Sequence, residues 1–223
     1  MKDKILNKAA DLFLSYGFKS VTMDDIANSL GISKKTVYSN YPTKRDLVND
    51  TTFHVFEQIN QGICQICAGE ENPVHELYNI KTLVMEQLKG EKTSPHYQLQ
   101  KYYPKIFAKL KEKQFESINQ CVSKNLERGI DLGFYRDDLD IQLMTKFYLN
   151  GNLGLMNLDI FPVDEFDMGS LKSAFLEYHI RAIATEKGLK SLENLLNKWK
   201  EFTFWYFSLF SWMPLSCLLY TSD

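Results

Sequence analysis

Apolar positions along the chain recur every three or four residues and almost nowhere every two. Ile5, Ala9, Leu12, Phe13 and Tyr16 make one stripe, and Gly17 follows it. That spacing predicts a first helix with one buried face, ending at Gly17. Thr22 followed by Asp25 reads as a capping box that opens a second helix through Leu30. Gly31 supplies a turn and Ser33 caps a third helix over 34–40. Pro42 disfavours the helical conformation for Tyr41 and stops that helix. Thr43 with Asp46 is a second capping box, starting a long fourth helix to about residue 68. Further helices are expected at 74–89, 97–109, 112–131, 139–158 and 168–187, with Pro104 kinking or splitting the one it falls in. Asn72-Pro73, Gly133, Pro162 and Gly188 punctuate the series. The expected fold is all-α, with a small three-helix head joined by the long fourth helix to a larger helical body.

The interval 22–47 has an internal logic of its own. Two helices crossing at a steep angle need a small residue at the crossing, and Ala27 is placed for it. Gly31 suits a tight turn with positive φ. Ile26, Leu30, Ile32 and Val37 fall on the inward side. Lys34, Lys35, Thr36, Tyr38 and Asn40 are left outward, all of them polar, basic or aromatic. This is the pattern of a helix-turn-helix whose second helix enters the major groove of DNA.

Charge sharpens that picture. The whole chain of 223 residues has a formal net charge of -2, which by itself says nothing about partners. Residues 1–50 carry eight Lys/Arg against six Asp/Glu, while the remainder is net acidic. Within 33–45 there are four basic residues and no acid. A basic head on an acidic body suits a protein that touches phosphate with one end only. The 44% hydrophobic content is enough to build a core without disulfides or metals. Four scattered cysteines make no disulfide framework, and the charged amphipathic start does not read as a signal peptide. A cytoplasmic location is expected.

Residues 5–53 resemble the DNA-binding domain of the TetR (TetR/AcrR) family of transcription regulators. The likeness lies in Leu-Phe-Leu-Ser-Tyr-Gly-Phe at 12–18, Thr-Met-Asp-Asp-Ile-Ala at 22–27 and the run from Gly31 to Leu47. Tyr41 stands where the family usually has Phe. The resemblance implies a phosphate contact for Thr22, and base or phosphate contacts for Lys34, Lys35 and Thr36. It implies that Tyr38 and Tyr41 lie against the sugar-phosphate backbone, and that Lys44 holds a phosphate at the start of the fourth helix. Thr36 is the expected sequence reader.

The second half resembles the family more loosely, through Gly133-Phe134-Tyr135-Arg136-Asp137-Asp138-Leu139 and through 181–188. By resemblance, the eighth and ninth helices form a four-helix bundle with those of a second subunit. Phe147, Gly151, Leu155, Phe175, Tyr178 and Ala182 are the expected homodimer face, with Gly151 and Gly154 allowing a partner helix to approach. The fifth to seventh helices are expected to enclose a pocket for a small apolar or amphipathic effector. Candidate lining residues are Tyr78, Met85, Tyr102, Tyr103, Phe107 and Phe115.

The expected organisation is therefore a helix-turn-helix DNA-binding head at 1–47, an effector-binding and dimerisation body at 48–198, and an aromatic apolar tail at 199–223. From Phe202 to Tyr220 there is no charge, and eight of the 19 residues are aromatic. A membrane anchor of minimal length, an extra packing helix and read-through into foreign sequence all fit such a segment; the last is favoured. Cys64-Gln65-Ile66-Cys67 has no second ligand pair at metal spacing, and no catalytic motif is present, so neither metal, cofactor nor enzymatic activity is expected. The leading functional reading is a ligand-responsive repressor that binds a palindromic operator as a homodimer. The alternatives are a regulator without a small-molecule ligand and a membrane-tethered regulator.

Overall fold

A computed structural model of the protein describes residues 1–89 and 95–211, with side chains described as far as Lys198. It contains ten helices among those residues. The head comprises α1 (Lys2–Tyr16), α2 (Met23–Leu30) and α3 (Lys34–Asn40). The long α4 (Lys44–Gly69) leads into a body of α5 (Pro73–Gln87), α6 (Pro95–Tyr102), α7 (Pro104–Asp131), α8 (Ile141–Gly154), α9 (Met168–Ile183) and α10 (Glu186–Ser211).

Local chemistry accounts for the boundaries. Asn72 accepts from the amides of Val74 and His75 and caps α5, with Pro73 in the first turn where no amide is needed. Asp140 and Asp167 cap α8 and α9 through the amides of Leu143 and Ser170. Pro104 splits the segment expected at 97–109, ending α6 and starting α7. The expected gap near 110 is absent, because Lys109 to Lys113 is a run of good helix formers and α7 passes through it. Gly188 does not end a helix. It sits in the first turn of α10, where its amide donates to Thr185 Oγ1 at 3.3 Å. The described backbone carries α10 without interruption past Trp199 to Ser211. The rest of the segment expected as a tail, residues 212–223 with Pro214 among them, lies outside the described residues.

Two apolar clusters organise the packing. The first joins Ile5, Phe13, Ile26, Val37 and Tyr41 of the head to Leu47 and Phe56 of α4 and to Leu99, Ile106 and Leu110 of α6 and α7. The second joins Val74 and Leu77 of α5, Leu126 of α7, Tyr135, Ile180 and Ile183 of α9, and Leu192 of α10. A polar network threads the second cluster. Tyr135 donates to Asn125 Oδ1 at 3.0 Å, Asn125 donates to Glu76 Oε1 at 2.8 Å, and Arg128 pairs with the other oxygen of Glu76. This network fixes the register of α5 against α7. Among the described residues, no helix is long and apolar enough to cross a membrane.

Candidate nucleic-acid interface

The recognition unit is built from three reinforcing local signals. Thr22 Oγ1 accepts from the Asp25 amide at 3.2 Å, and the Asp25 carboxylate accepts from the Thr22 amide at 2.8 Å, so the capping box is closed. These bonds hold the Asp25 carboxyl below the usual carboxylate range. Gly31 ends α2 at φ 63°, a left-handed turn that costs any residue with a Cβ more than it costs glycine. The turn is closed by the Ile32 amide on the Ala27 carbonyl at 3.0 Å. Ser33 then caps α3 by accepting from the Thr36 amide at 3.1 Å. Ile26, Ala27 and Val37 are buried at the crossing, and Leu30 and Ile32 pack against them. One edge of α3 is thereby locked inward and the other faces solvent.

The expected contact residues divide on inspection. Lys34, Lys35 and Tyr38 are exposed along α3. Lys34 Nζ is paired with Asp24 at 2.8 Å, which raises its pKa above the ordinary lysine range, and it lies over the Tyr38 ring. Thr36 is half-buried, and its Oγ1 is 2.8 Å from Ser33 Oγ. Thr22 is exposed, but its hydroxyl also reaches the Asp25 carboxylate at 2.7 Å. Lys44 lies at the start of α4, half-buried, donating to the Lys19 carbonyl at 3.4 Å. Burial lowers its pKa, opposed by Asp25. Tyr41 departs from expectation. It is only 2% exposed and belongs to the head core, so it supports α3 from beneath instead of presenting a face to a sugar-phosphate backbone. The acid that holds Lys34, Asp24, is missing from the sequence-based site; its position in the first turn of α2 is the available signal, but the distance to Lys34 is a tertiary fact.

The body contains a cavity of about 190 Å³ between α1, α4, α5, α6, α7, α8 and α9. Val55, Ile59, Ile63, Ile80, Leu153 and Phe175 supply much of its apolar wall. None of the six expected lining residues reaches it. Tyr78 is buried in the body core, and with Met85 it borders a separate groove beside Asp167 and Glu177. Tyr103 and Phe107 pack on the head core, Tyr102 is exposed, and Phe115 is 50% exposed. Aromatic spacing marks a face but does not say whether that face meets the cavity, another core or water. The better signal is on α4, where Thr52, Val55, Ile59 and Ile63 follow one helical stripe. Lys81 and Lys172 stand on the cavity wall, and its described lining contains no Asp or Glu. Lys81 donates to Ser173 Oγ at 2.9 Å, and burial lowers its pKa.

The expected dimer face also divides. Phe147 is 58% exposed and Tyr178 is 73% exposed, on adjacent helices α8 and α9, and Ala182 is exposed beside them. Gly151, Leu155 and Phe175 are instead taken up within the chain. A Cβ on Gly151 would lie 2.3 Å from Phe175 Cε2, so this glycine makes room for a ring of its own chain. Leu155 is buried.

A helix-turn-helix with an exposed basic and aromatic helix, set by a long helix onto an all-helical body, defines a DNA-binding transcription regulator. Comparison with known proteins places it further. Residues 5–51 match the family described as "Bacterial regulatory proteins, tetR family". The head is therefore a DNA-binding domain of the TetR type, and the chain is similar to regulators of that family beyond it. It is 26% identical over 131 residues to the biofilm operon icaADBC HTH-type negative transcriptional regulator IcaR of Staphylococcus aureus, covering 59% of this chain and 70% of that one. Its fold is similar to a transcriptional regulator from Cytophaga hutchinsonii, with a TM-score of 0.69 at 18% identity over 82% of this chain and 98% of that one. It is also similar to Thermus thermophilus FadR, a TetR family repressor solved in complex with lauroyl-CoA, with a TM-score of 0.51 at 17% identity over 81% and 93% of the two chains.

Proposed function

We propose that the protein is a ligand-responsive repressor that binds a palindromic operator as a homodimer. The observation that carries the DNA-binding part is α3, held rigidly by Val37, Ile26 and Ala27 while Lys34, Lys35 and Tyr38 face solvent. Lys35, Tyr38 and Lys44 contact the phosphate backbone, and Thr36 reads a base once its hydroxyl exchanges Ser33 for DNA. Thr22 and Lys34 join on binding, when phosphate competes with Asp25 and Asp24. Repression is supported by the negative regulators among the similar proteins. Replacing Lys44 with alanine should weaken binding to all DNA sequences, and the slope of log affinity against log salt should shrink by about 1. Equal affinities of the variant and the parent protein at every salt concentration would remove Lys44 from the interface.

The exposed rings of Phe147 and Tyr178 support dimerisation through α8 and α9, since a monomer leaves them in water. Changing both to glutamate should yield a monomer in sedimentation experiments and lose cooperative binding to paired half-sites. A persistent dimer would place the interface elsewhere. The cavity supports an effector, and its walls favour an amphipathic molecule. An apolar body would fill the space beside Ile59, Ile63 and Phe175, with an anionic or polar end at Lys81 and Lys172. Because α4 lines the cavity and also begins at the DNA-facing Lys44, occupancy would move the heads through this one helix.

A further inference from the structure

Cys67, near the end of α4, and Cys121, midway along α7, are far apart in sequence, yet their sulfurs lie 3.8 Å apart. Cys64 is one turn before Cys67 and is exposed. We propose that Cys67 and Cys121 form a redox couple, in which a peroxide closes a disulfide that ties the body end of α4 to α7.

The geometry favours a disulfide over a metal site. Glu76 is the one carboxylate whose oxygen lies within 4.8 Å of both sulfurs among the described residues. Both of its oxygens are committed, one to Asn125 at 2.8 Å and the other to Arg128. Two thiols and an engaged carboxylate fall short of the four ligands a structural zinc site uses. A disulfide needs only the two sulfurs, brought from 3.8 Å to about 2.05 Å.

Both sulfurs are also reachable. Cys67 is partly exposed, and Cys121 lines the cavity. In the first step the Cys67 thiolate attacks a peroxide oxygen; an S–O bond forms, the O–O bond breaks, and hydroxide leaves and takes a proton as water. In the second, the Cys121 thiolate attacks the Cys67 sulfur; the S–S bond forms, the S–O bond breaks, and hydroxide again leaves as water. The two thiols give up two electrons and the peroxide accepts them. The titratable and charged groups facing the pair are Cys64 on α4, Glu76 on α5, Arg128 on α7 and Tyr148 on α8. Burial raises both thiol pKa values and the Glu76 charge adds to the rise. The thiolate is therefore scarce at neutral pH, and closure accelerates as pH rises.

The test treats the full chain with hydrogen peroxide at about pH 7 and about pH 8, then blocks free thiols and digests without reduction. Mass spectrometry should find a peptide pair joined through Cys67 and Cys121, lighter by two hydrogens. Its rate of formation should rise about tenfold per pH unit. Oxidation should raise the melting temperature of the parent protein and of Cys64→Ser, but not of Cys121→Ser or Cys121→Ala. Two results overturn the proposal. In one, Cys67 and Cys121 remain fully alkylatable while Cys64 alone is oxidised. In the other, the chain retains one equivalent of zinc through desalting and the metal shields the pair from alkylation.

Discussion

Glu76→Ala is expected to lower the stability of the protein by about 3 kcal/mol, at the lower end of the loss from breaking a buried ion pair. Glu76 is 1% exposed and is the hub of the body's polar network. Its removal costs Asn125 one hydrogen bond, while its Nδ2 still donates to the Pro73 carbonyl at 3.0 Å and its Oδ1 still accepts from Tyr135. It also removes the carboxylate partner of the Arg128 guanidinium. Arg128 keeps some access to water, which is why the loss stays near the lower bound. For a chain of this length the melting temperature should fall by roughly 6–12 °C. Glu76→Gln keeps an acceptor for Asn125 and should lose less. Urea unfolding of the three proteins measures this directly, and a loss below about 1 kcal/mol for the alanine variant would mean that water replaces the network at no cost.

Tyr41→Ala should be the most damaging single change in the head, at about 3–5 kcal/mol, with loss of DNA binding because α3 loses its floor. The ring is buried among Ile5, Val37 and Leu47. The hydroxyl tells the two roles of this residue apart. Tyr41 Oη is buried and has no hydrogen-bond partner among the described residues, and burial pushes its pKa up to about 12. Tyr41→Phe removes an unsatisfied polar group and keeps the ring, so it should be neutral or stabilising by up to about 1 kcal/mol, with DNA affinity unchanged. A phosphate contact through Tyr41 would make the same variant weaken DNA binding. Thermal melts and a DNA titration of Tyr41→Phe therefore decide whether the residue is a contact or a support.

These two residues also show what can be read from the chain alone. The head is legible because its determinants act over three or four residues: Thr22 with Asp25, Gly31, and Ser33 with Thr36 are all local. The side of α3 that faces solvent follows from the helical phase of Ile32 and Val37. The expectation for Tyr41 rests on the family resemblance, since the residue follows the last turn of α3 where no periodicity applies, and its burial depends on tertiary packing. The body is less legible. Most of its caps are local, but α10 is not among the expected helices, and the cavity is a product of how seven helices meet. Aromatic residues such as Phe115 then look equivalent to Phe175 although one faces water and the other lines the cavity. Gly151 shows the same limit: a glycine signals close approach, and only the structure says that the approaching ring is the chain's own Phe175. The pairing of Cys67 with Cys121 likewise has no local trace, since it depends on the packing of α4 against α7.

The central claim is that this chain reads DNA through α3 as a pair of heads. The most direct measurement is selection of binding sites from random duplex DNA by the full-length protein, followed by titration of the selected site across a range of salt concentrations. The account predicts an inverted repeat whose half-sites are spaced by about one helical turn or a multiple of it. Affinity should fall with salt at about 0.9 log units per log unit for each phosphate neutralised, and Thr36→Ala should shift the preferred base at one position in each half-site. Recovery of no enriched sequence, together with an affinity indifferent to salt, would contradict it.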